Sequence, residues 1–136
     1  MKKQYKNEAE FKKDFVELLR SSNFTVFCIE TEETVPGFPD VLAIDSDGKT
    51  FLFEMKITDR YGRFKMQKTQ PRFYMLHQNL KVKVVVWDNG MGNYLSIPAK
   101  MVAKSCSERA SLKLDIKESL YAASFAEGEV RTGRKE

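Results

Sequence analysis

The sequence predicts an α/β domain with a mixed central sheet, on three observations. A helical apolar stripe runs through "NEAEFKKDFVELLRSSNF" (7–24). A pair of apolar runs around a tight turn fills "GFPDVLAIDSDGKTFLFEMKI" (37–57). A second helical stretch then separates these runs from "VKVVVWD" (82–88), a buried strand.

Taken in order, Phe11, Phe15, Leu18 and Leu19 recur at i, i+4, i+7 and i+8, and Asn7 is an N-cap with Glu10 three residues on. "FTVFCIE" (24–30) is a β-rich run, and "TEETVPG" is a polar loop punctuated by Pro36 and Gly37. After the hairpin, "TDRYGRFKMQKTQ" (58–70) reads as polar and irregular. Pro71 suits the first position of the second helix, after Thr69 or Gln70, and that helix buries Phe73, Leu76 and Leu80. "NGMGN" is turn chemistry and "YLSI" (94–97) a short strand. "PAKMVAKS" and "DIKESLYAASFA" read as helices, and "EGEVRTGRKE" as a frayed end.

With 136 residues the chain makes one domain, placed at 1–127 with its core at 8–97, a helical extension at 98–127 and a flexible tail at 128–136. The composition, 42% hydrophobic and 31% charged, is that of an ordinary soluble domain. The net charge of +4 permits a nucleic-acid partner without demanding one. Cys28 and Cys106 lack metal-ligand spacing and read as reduced thiols. The basic N-terminus lacks the apolar run of a signal peptide, and no segment has the roughly 20 apolar residues of a membrane span. The expected setting is cytoplasmic, in a bacterial, archaeal or phage-infected cell.

The hairpin carries Asp40, Glu54 and Lys56 inside hydrophobic runs, where an unpaired charge costs several kcal/mol. A three-residue loop, Ser46-Asp47-Gly48 with Gly48 left-handed, sets Asp45 opposite Lys49 and hence Asp40 opposite Glu54. That register gathers Val41, Ala43, Phe51, Phe53, Met55 and Ile57 on one apolar face. It leaves Asp40, Leu42, Ile44, Leu52, Glu54 and Lys56 on the other, and a one-residue slip would scatter the division. Two carboxylates would then face each other with Cβ atoms about 5 Å apart. They repel unless a proton or cation sits between them, and a hard divalent ion with oxygen ligands meets that need. The competing reading is a solvated cross-strand ion pair in which Lys56 neutralises one acid.

"PGFPD", thirteen residues and then "EMK" resembles the PD-(D/E)XK nuclease superfamily, whose core is α-β-β-β-α-β and restriction-endonuclease-like. The resemblance covers about residues 8–97. "QPRFYMLHQNLKVKVVVW" resembles the helix and strand after the lysine in Holliday-junction resolvases and VRR-NUC nucleases. It implies a metal-dependent DNA endonuclease selective for branched or junction DNA, leaving 5′-phosphate ends and working as a homodimer without a nucleotide cofactor. Asp40, Glu54 and the Met55 carbonyl would hold Mg²⁺, with Mn²⁺ substituting. Lys56 would activate the attacking water, and Gln70 would orient Lys56 or the phosphate. A glutamate of the first helix joins such sites. Glu10 is chosen by resemblance, with Asp14 and Glu17 near the same side.

Arg60, Arg63, Lys65, Lys68 and Arg72 follow Lys56, opposed only by Asp59, and Tyr61 and Phe64 are interleaved. A flexible basic loop of this kind suits phosphate contacts, with Tyr61 or Phe64 stacking on an unpaired base; a solvated surface loop is the competing reading. "DSDG" is a turn and not a calcium loop, because Lys56 stands where such loops need a glutamate. His77 reads as surface or packing and Trp87 as core. No nucleophilic triad and no Walker-type loop is present. The rival functions are a nuclease of single-stranded DNA or RNA, and a non-catalytic DNA-binding module.

Overall fold

The computed structural model describes residues 3–29, 36–116 and 133–134. In chain order the elements are α1 (Glu8–Ser21), β1 (Thr25–Cys28), β2 (Val41–Ile44), β3 (Thr50–Ile57), β4 (Arg63–Lys65), α2 (Thr69–Leu76), β5 (Val82–Asp88), β6 (Asn93–Pro98), α3 (Ala99–Arg109), β7 (Lys113–Asp115) and β8 (Gly133–Arg134).

Helix α1 starts where the sequence places its cap. Asn7 is extended, and its side-chain oxygen accepts the Glu10 N–H at 2.9 Å, satisfying one free donor of the first turn. At 100° per residue the buried arc runs from Phe11 through Phe15 and Leu19 to Val16, so Leu18 falls on its outer rim and is 47% exposed. Asn23 then turns the chain with a left-handed φ of 68°.

The main sheet has the order β1-β2-β3-β5-β6-β8, and β3 and β5 form its one parallel pair among the described residues. That pair requires a crossover, which the segment containing α2 supplies. The β2–β3 turn is the three-residue loop: Asp45 N–H donates to Lys49 O at 2.9 Å, and Gly48 takes φ 82°. Asp45 Oδ1 also accepts from the Asp47 and Lys49 N–H groups, locking the register Val41↔Phe53, Leu42↔Leu52, Ala43↔Phe51, Ile44↔Thr50.

That register gives the sheet two apolar faces. Val41, Ala43, Phe53, Met55, Val85 and Trp87 meet Phe11, Phe15, Val16 and Leu19 of α1. Leu52, Val82, Val84, Val86, Leu95 and Ile97 meet Phe73 and Tyr74 of α2 and Val102, Ala103 and Cys106 of α3. Fully burying each large side chain contributes about 1.5–3 kcal/mol, so the central strands are held from both sides.

Five expectations change. Residues 58–70 are not irregular: β4 pairs with β7, and Phe64 and Met66 are buried in the α2–α3 core. Helix α2 begins at Thr69, so Pro71 is its third residue, where a missing N–H loses no intrahelical bond. The helix stops at Leu76 because the chain turns through His77–Leu80 to enter β5. Leu76 is therefore 72% and Leu80 42% exposed. At the C-terminal side, "AKMVAKS" lies within α3 as expected, with Pro98 closing β6 as the residue before the helix. Asp115, expected to begin a further helix, is in β7, and residues 117–126 of that expected helix lie outside the described residues. Gly133–Arg134, expected to fray, pairs with Asn93–Tyr94 at the sheet edge.

Candidate active site

One further step of the β2–β3 register places Asp40 opposite Glu54, and the Met55 N–H donates to Asp40 Oδ2 at 3.3 Å. Glu54 is 2% and Lys56 3% exposed, on the α2 side of the sheet. Exposed ion pairs are worth about 0–1 kcal/mol, whereas burying a charge costs several. The burial removes the solvated ion pair as an account of these residues.

Burial is the largest cause that raises the Glu54 carboxyl, to about 9; the charge of Asp40 and a hydrogen bond with it add to this, and Lys56 opposes it. Without a cation, the pair holds a proton at neutral pH. Glu54 Oε1 is buried and has no hydrogen-bond partner.

The helix carboxylate whose charge reaches this pair is Glu8, not Glu10. Glu8 is raised first by the protein crowded around its carboxyl, is lowered by Lys56 and is raised again by Asp40, although its surface stays largely exposed. Residues two apart on a helix point about 200° from each other, so Glu10 cannot share that side. The Glu10 charge acts on Tyr5 instead, and Asp14 accepts the Tyr5 hydroxyl at 2.6 Å. Glu17 lines a hollow with Arg20 and Cys28 that includes none of Asp40, Glu54 and Lys56. Nothing in the sequence separates Glu8 from Glu10: only the docking of α1 shows that Glu8 is the one beside Asp40 and Lys56.

Helix α2 brings Gln70 and Tyr74, four residues apart, into the core on this face. Gln70 is 7% exposed and its Oε1 accepts the Gln67 N–H at 2.8 Å. The Tyr74 hydroxyl is buried without a partner, and burial, followed by the charges of Glu54 and Asp40, holds the phenol above its ordinary range. Tyr74 was not singled out from the sequence, where it is indistinguishable from a core aromatic.

Arg60, Arg63, Lys65, Lys68 and Arg72 are all exposed. Tyr61 is 59% exposed, with the Arg60 guanidinium 4.9 Å from its ring centre. Phe64 is 2% exposed, so only Tyr61 of the two aromatics is open to a base. The segment is ordered, not loose: Asp59 Oδ1 accepts the Tyr61 and Arg63 N–H groups, and β4 alternates Arg63 and Lys65 outward with Phe64 inward. These bonds, the Arg63 N–H first, hold the Asp59 carboxyl below its usual range.

Among the described residues no group of three or more His, Cys, Asp or Glu is placed to hold a metal. Asp40 and Glu54 still fit Mg²⁺, which commonly takes one or two carboxylates and fills its shell with water and phosphate. The orphaned Glu54 oxygen, buried beside a second carboxylate, is the observation that favours a cation. A groove of about 850 Å³ lies at the other end of the sheet, by Lys49, Phe51 and Lys81, and contains none of the predicted site residues. No helix among the described residues is long and apolar enough to cross a membrane.

No protein-family model and no curated protein sequence matches the chain. Among solved structures it is similar to Hjc of Archaeoglobus fulgidus, a Holliday junction resolvase from an archaeal hyperthermophile. The TM-score is 0.60 at 16% identity, covering 85% of this chain and 92% of that one. The fold is restriction-endonuclease-like. At this identity the likeness concerns the fold, and the chemistry must be argued from the side chains.

Proposed function

We propose that the chain is a metal-dependent DNA endonuclease selective for branched DNA. The observation that carries this reading is the buried Glu54 facing the half-buried Asp40, with the buried Lys56 on the same face, in a fold similar to that of a Holliday junction resolvase. Asp40, Glu54 and the Met55 carbonyl would hold Mg²⁺, or Mn²⁺ in its place. When bound, the cation lowers the pKa of its water and polarises the phosphoryl oxygen.

Lys56, fixed by the β3 backbone, orients the attacking water and meets the negative charge that develops on the phosphoryl group. Gln70 positions Lys56 or the phosphate from α2, and Glu8 bears on the same cluster from α1. Arg60, Arg63, Lys65, Lys68 and Arg72 contact backbone phosphates. The products carry 5′-phosphate and 3′-hydroxyl ends.

Cutting two strands of a junction symmetrically calls for two copies. Beyond its buried residues α3 shows solvent Lys100, Lys104 and Glu108, a charged face that does not suit a dimer contact. Met75, Leu76 and Leu80, 53%, 72% and 42% exposed, form the apolar surface that suits a second copy.

A single-strand nuclease is the second reading, favoured by the exposed Tyr61 under the Arg60 guanidinium. A non-catalytic binding module has no use for a close acid pair that repels phosphate. The test is cleavage of end-labelled single-stranded, duplex, flap and four-way-junction DNA with Mg²⁺, by the wild type and Asp40→Asn. Metal-dependent cutting of the junction that Asp40→Asn abolishes is expected. Preference for single strands moves the reading to the second, and DNA binding without any cutting sinks both.

A further inference from the structure

The two-stranded sheet of β4 and β7 stands on the side of the main sheet that carries Glu54 and Lys56, because Phe64 and Leu114 share a core with Leu52, Val84 and Val86. Its register is fixed at both ends: the Met66 N–H donates to Leu112 O at 2.8 Å, and the Ile116 N–H to Gly62 O at 2.9 Å. The antiparallel partners are Arg63↔Asp115, Phe64↔Leu114 and Lys65↔Lys113. Directly opposite residues point to the same face, so with Phe64 and Leu114 turned inward the other two pairs turn outward. One of these outer pairs is complementary in charge. The other sets two exposed lysines side by side, and like charges directly opposite destabilise a ladder. Among the described residues neither lysine forms an ion pair. Asp59, an acid on which the Lys113 charge acts, is already engaged by the Tyr61 and Arg63 N–H groups.

We infer that Lys65 and Lys113 form a clamp on the phosphate backbone of DNA, so that β7 belongs to the same binding face as the basic segment before α2. This rests on the nuclease reading. The pair is unfavourable in the free chain and favourable against a polyanion, whose phosphates offset the repulsion between the two ammoniums. Each ammonium is a point charge on a flexible stem, so both can close on the backbone while the ladder beneath them stays fixed. Arg63, on the same outer face, extends the row, and Asp115 opposite it marks where the clamp ends. Lys113 carries no such signal in the sequence, because only the β4–β7 pairing sets it beside Lys65.

Two measurements on the full chain test this. The first is titration of an end-labelled four-way junction and a plain duplex in chelator, at several salt concentrations, with the wild type, Lys113→Gln, Lys113→Glu and Lys104→Gln. Lys104, on α3 beside Glu108, is the control for bulk charge. The expected result is a slope of log affinity against log salt that falls by about 1 in Lys113→Gln and further in Lys113→Glu, with Lys104→Gln like the wild type. The second is thermal unfolding of the free protein at low salt. Lys113→Glu places an acid opposite Lys65, so its midpoint should rise even as its DNA binding weakens. An unchanged slope in Lys113→Gln, or an equal drop in Lys104→Gln, overturns the clamp. A midpoint that falls in Lys113→Glu overturns the like-charge pairing on which the clamp is built. A wild type that binds no DNA overturns the nuclease reading and the clamp together, whereas loss of the clamp alone leaves wild-type binding and cutting intact.

Discussion

The Met55 N–H donates to Asp40 Oδ2 across the β2–β3 ladder, so the strand that carries Glu54 and Lys56 also holds the carboxylate facing them. This closeness makes the acid pair a pH sensor in the metal-free protein. Glu54 is raised from 4.5 to about 9 by burial and by Asp40, so between those values the folded chain keeps a proton that the unfolded chain has released. Stability in chelator should therefore fall as pH rises through that window, by linkage. Denaturant midpoints from pH 5 to 9 should show this slope, and Glu54→Gln should flatten it. A wild-type slope of the opposite sign would refute the assignment.

Lys56 is buried beside the pair, and its charge is felt by both Glu54 and Glu8. Lys56→Met keeps the stem and removes the amine. Its cleavage rate should drop by about 10²–10³, the loss seen when one fixed transition-state donor is removed, with DNA affinity nearly unchanged. Single-turnover kinetics beside a gel-shift titration separates the two quantities. Equal losses in both would make Lys56 a binding residue.

Gly37 approaches the start of α2 so closely that an added Cβ would run into the Thr69 carbonyl and come within 2.9 Å of Phe73 Cβ. Its φ of 86° is also one that side chains disfavour. Gly37→Ala should lose more than about 1 kcal/mol of stability. It should also weaken cleavage at temperatures where the protein is folded, because the same loop leads into Asp40. A variant as stable and active as wild type would show that the loop does not brace the site.

The acid pair was legible because a two-residue period and a turn signal fix a hairpin register, and Asp45, Gly48 and Lys49 carry that signal locally. Glu8 was not, because Glu10 has a competing role in the cap and only the docking of α1 on the sheet tells which turn reaches Asp40. The β4–β7 pairing was illegible for a related reason. Arg63-Phe64-Lys65 is too short to display a period, and its partner lies far along the chain at Lys113–Asp115. Leu76 and Leu80 misled because apolar spacing marks a helix face without saying whether anything covers it.

The basic segment makes a prediction about salt. Arg60, Arg63 and Lys65 are exposed along one ordered segment, so each can neutralise a phosphate. Replacing one by Gln should lower the slope of log affinity against log salt by about 1 and weaken all DNA sequences alike. Titrations at several salt concentrations measure the slope. An unchanged slope for all three would remove this face from the DNA footprint.

Tyr61 and Phe64 stand three residues apart and should behave oppositely. Phe64 is 2% exposed within the α2–α3 core, so Phe64→Ala should destabilise by about 3–5 kcal/mol, read from the denaturant midpoint. Tyr61 is 59% exposed and packs on the Arg60 guanidinium, so Tyr61→Ala should leave stability within about 0.5 kcal/mol. If its ring stacks on an unpaired base, the same change weakens binding to single-stranded or branched DNA by about 1–3 kcal/mol and spares plain duplex. Equal loss on duplex and single strand would instead reduce Tyr61 to a support for Arg60, leaving phosphate contacts as the whole of this surface's contribution.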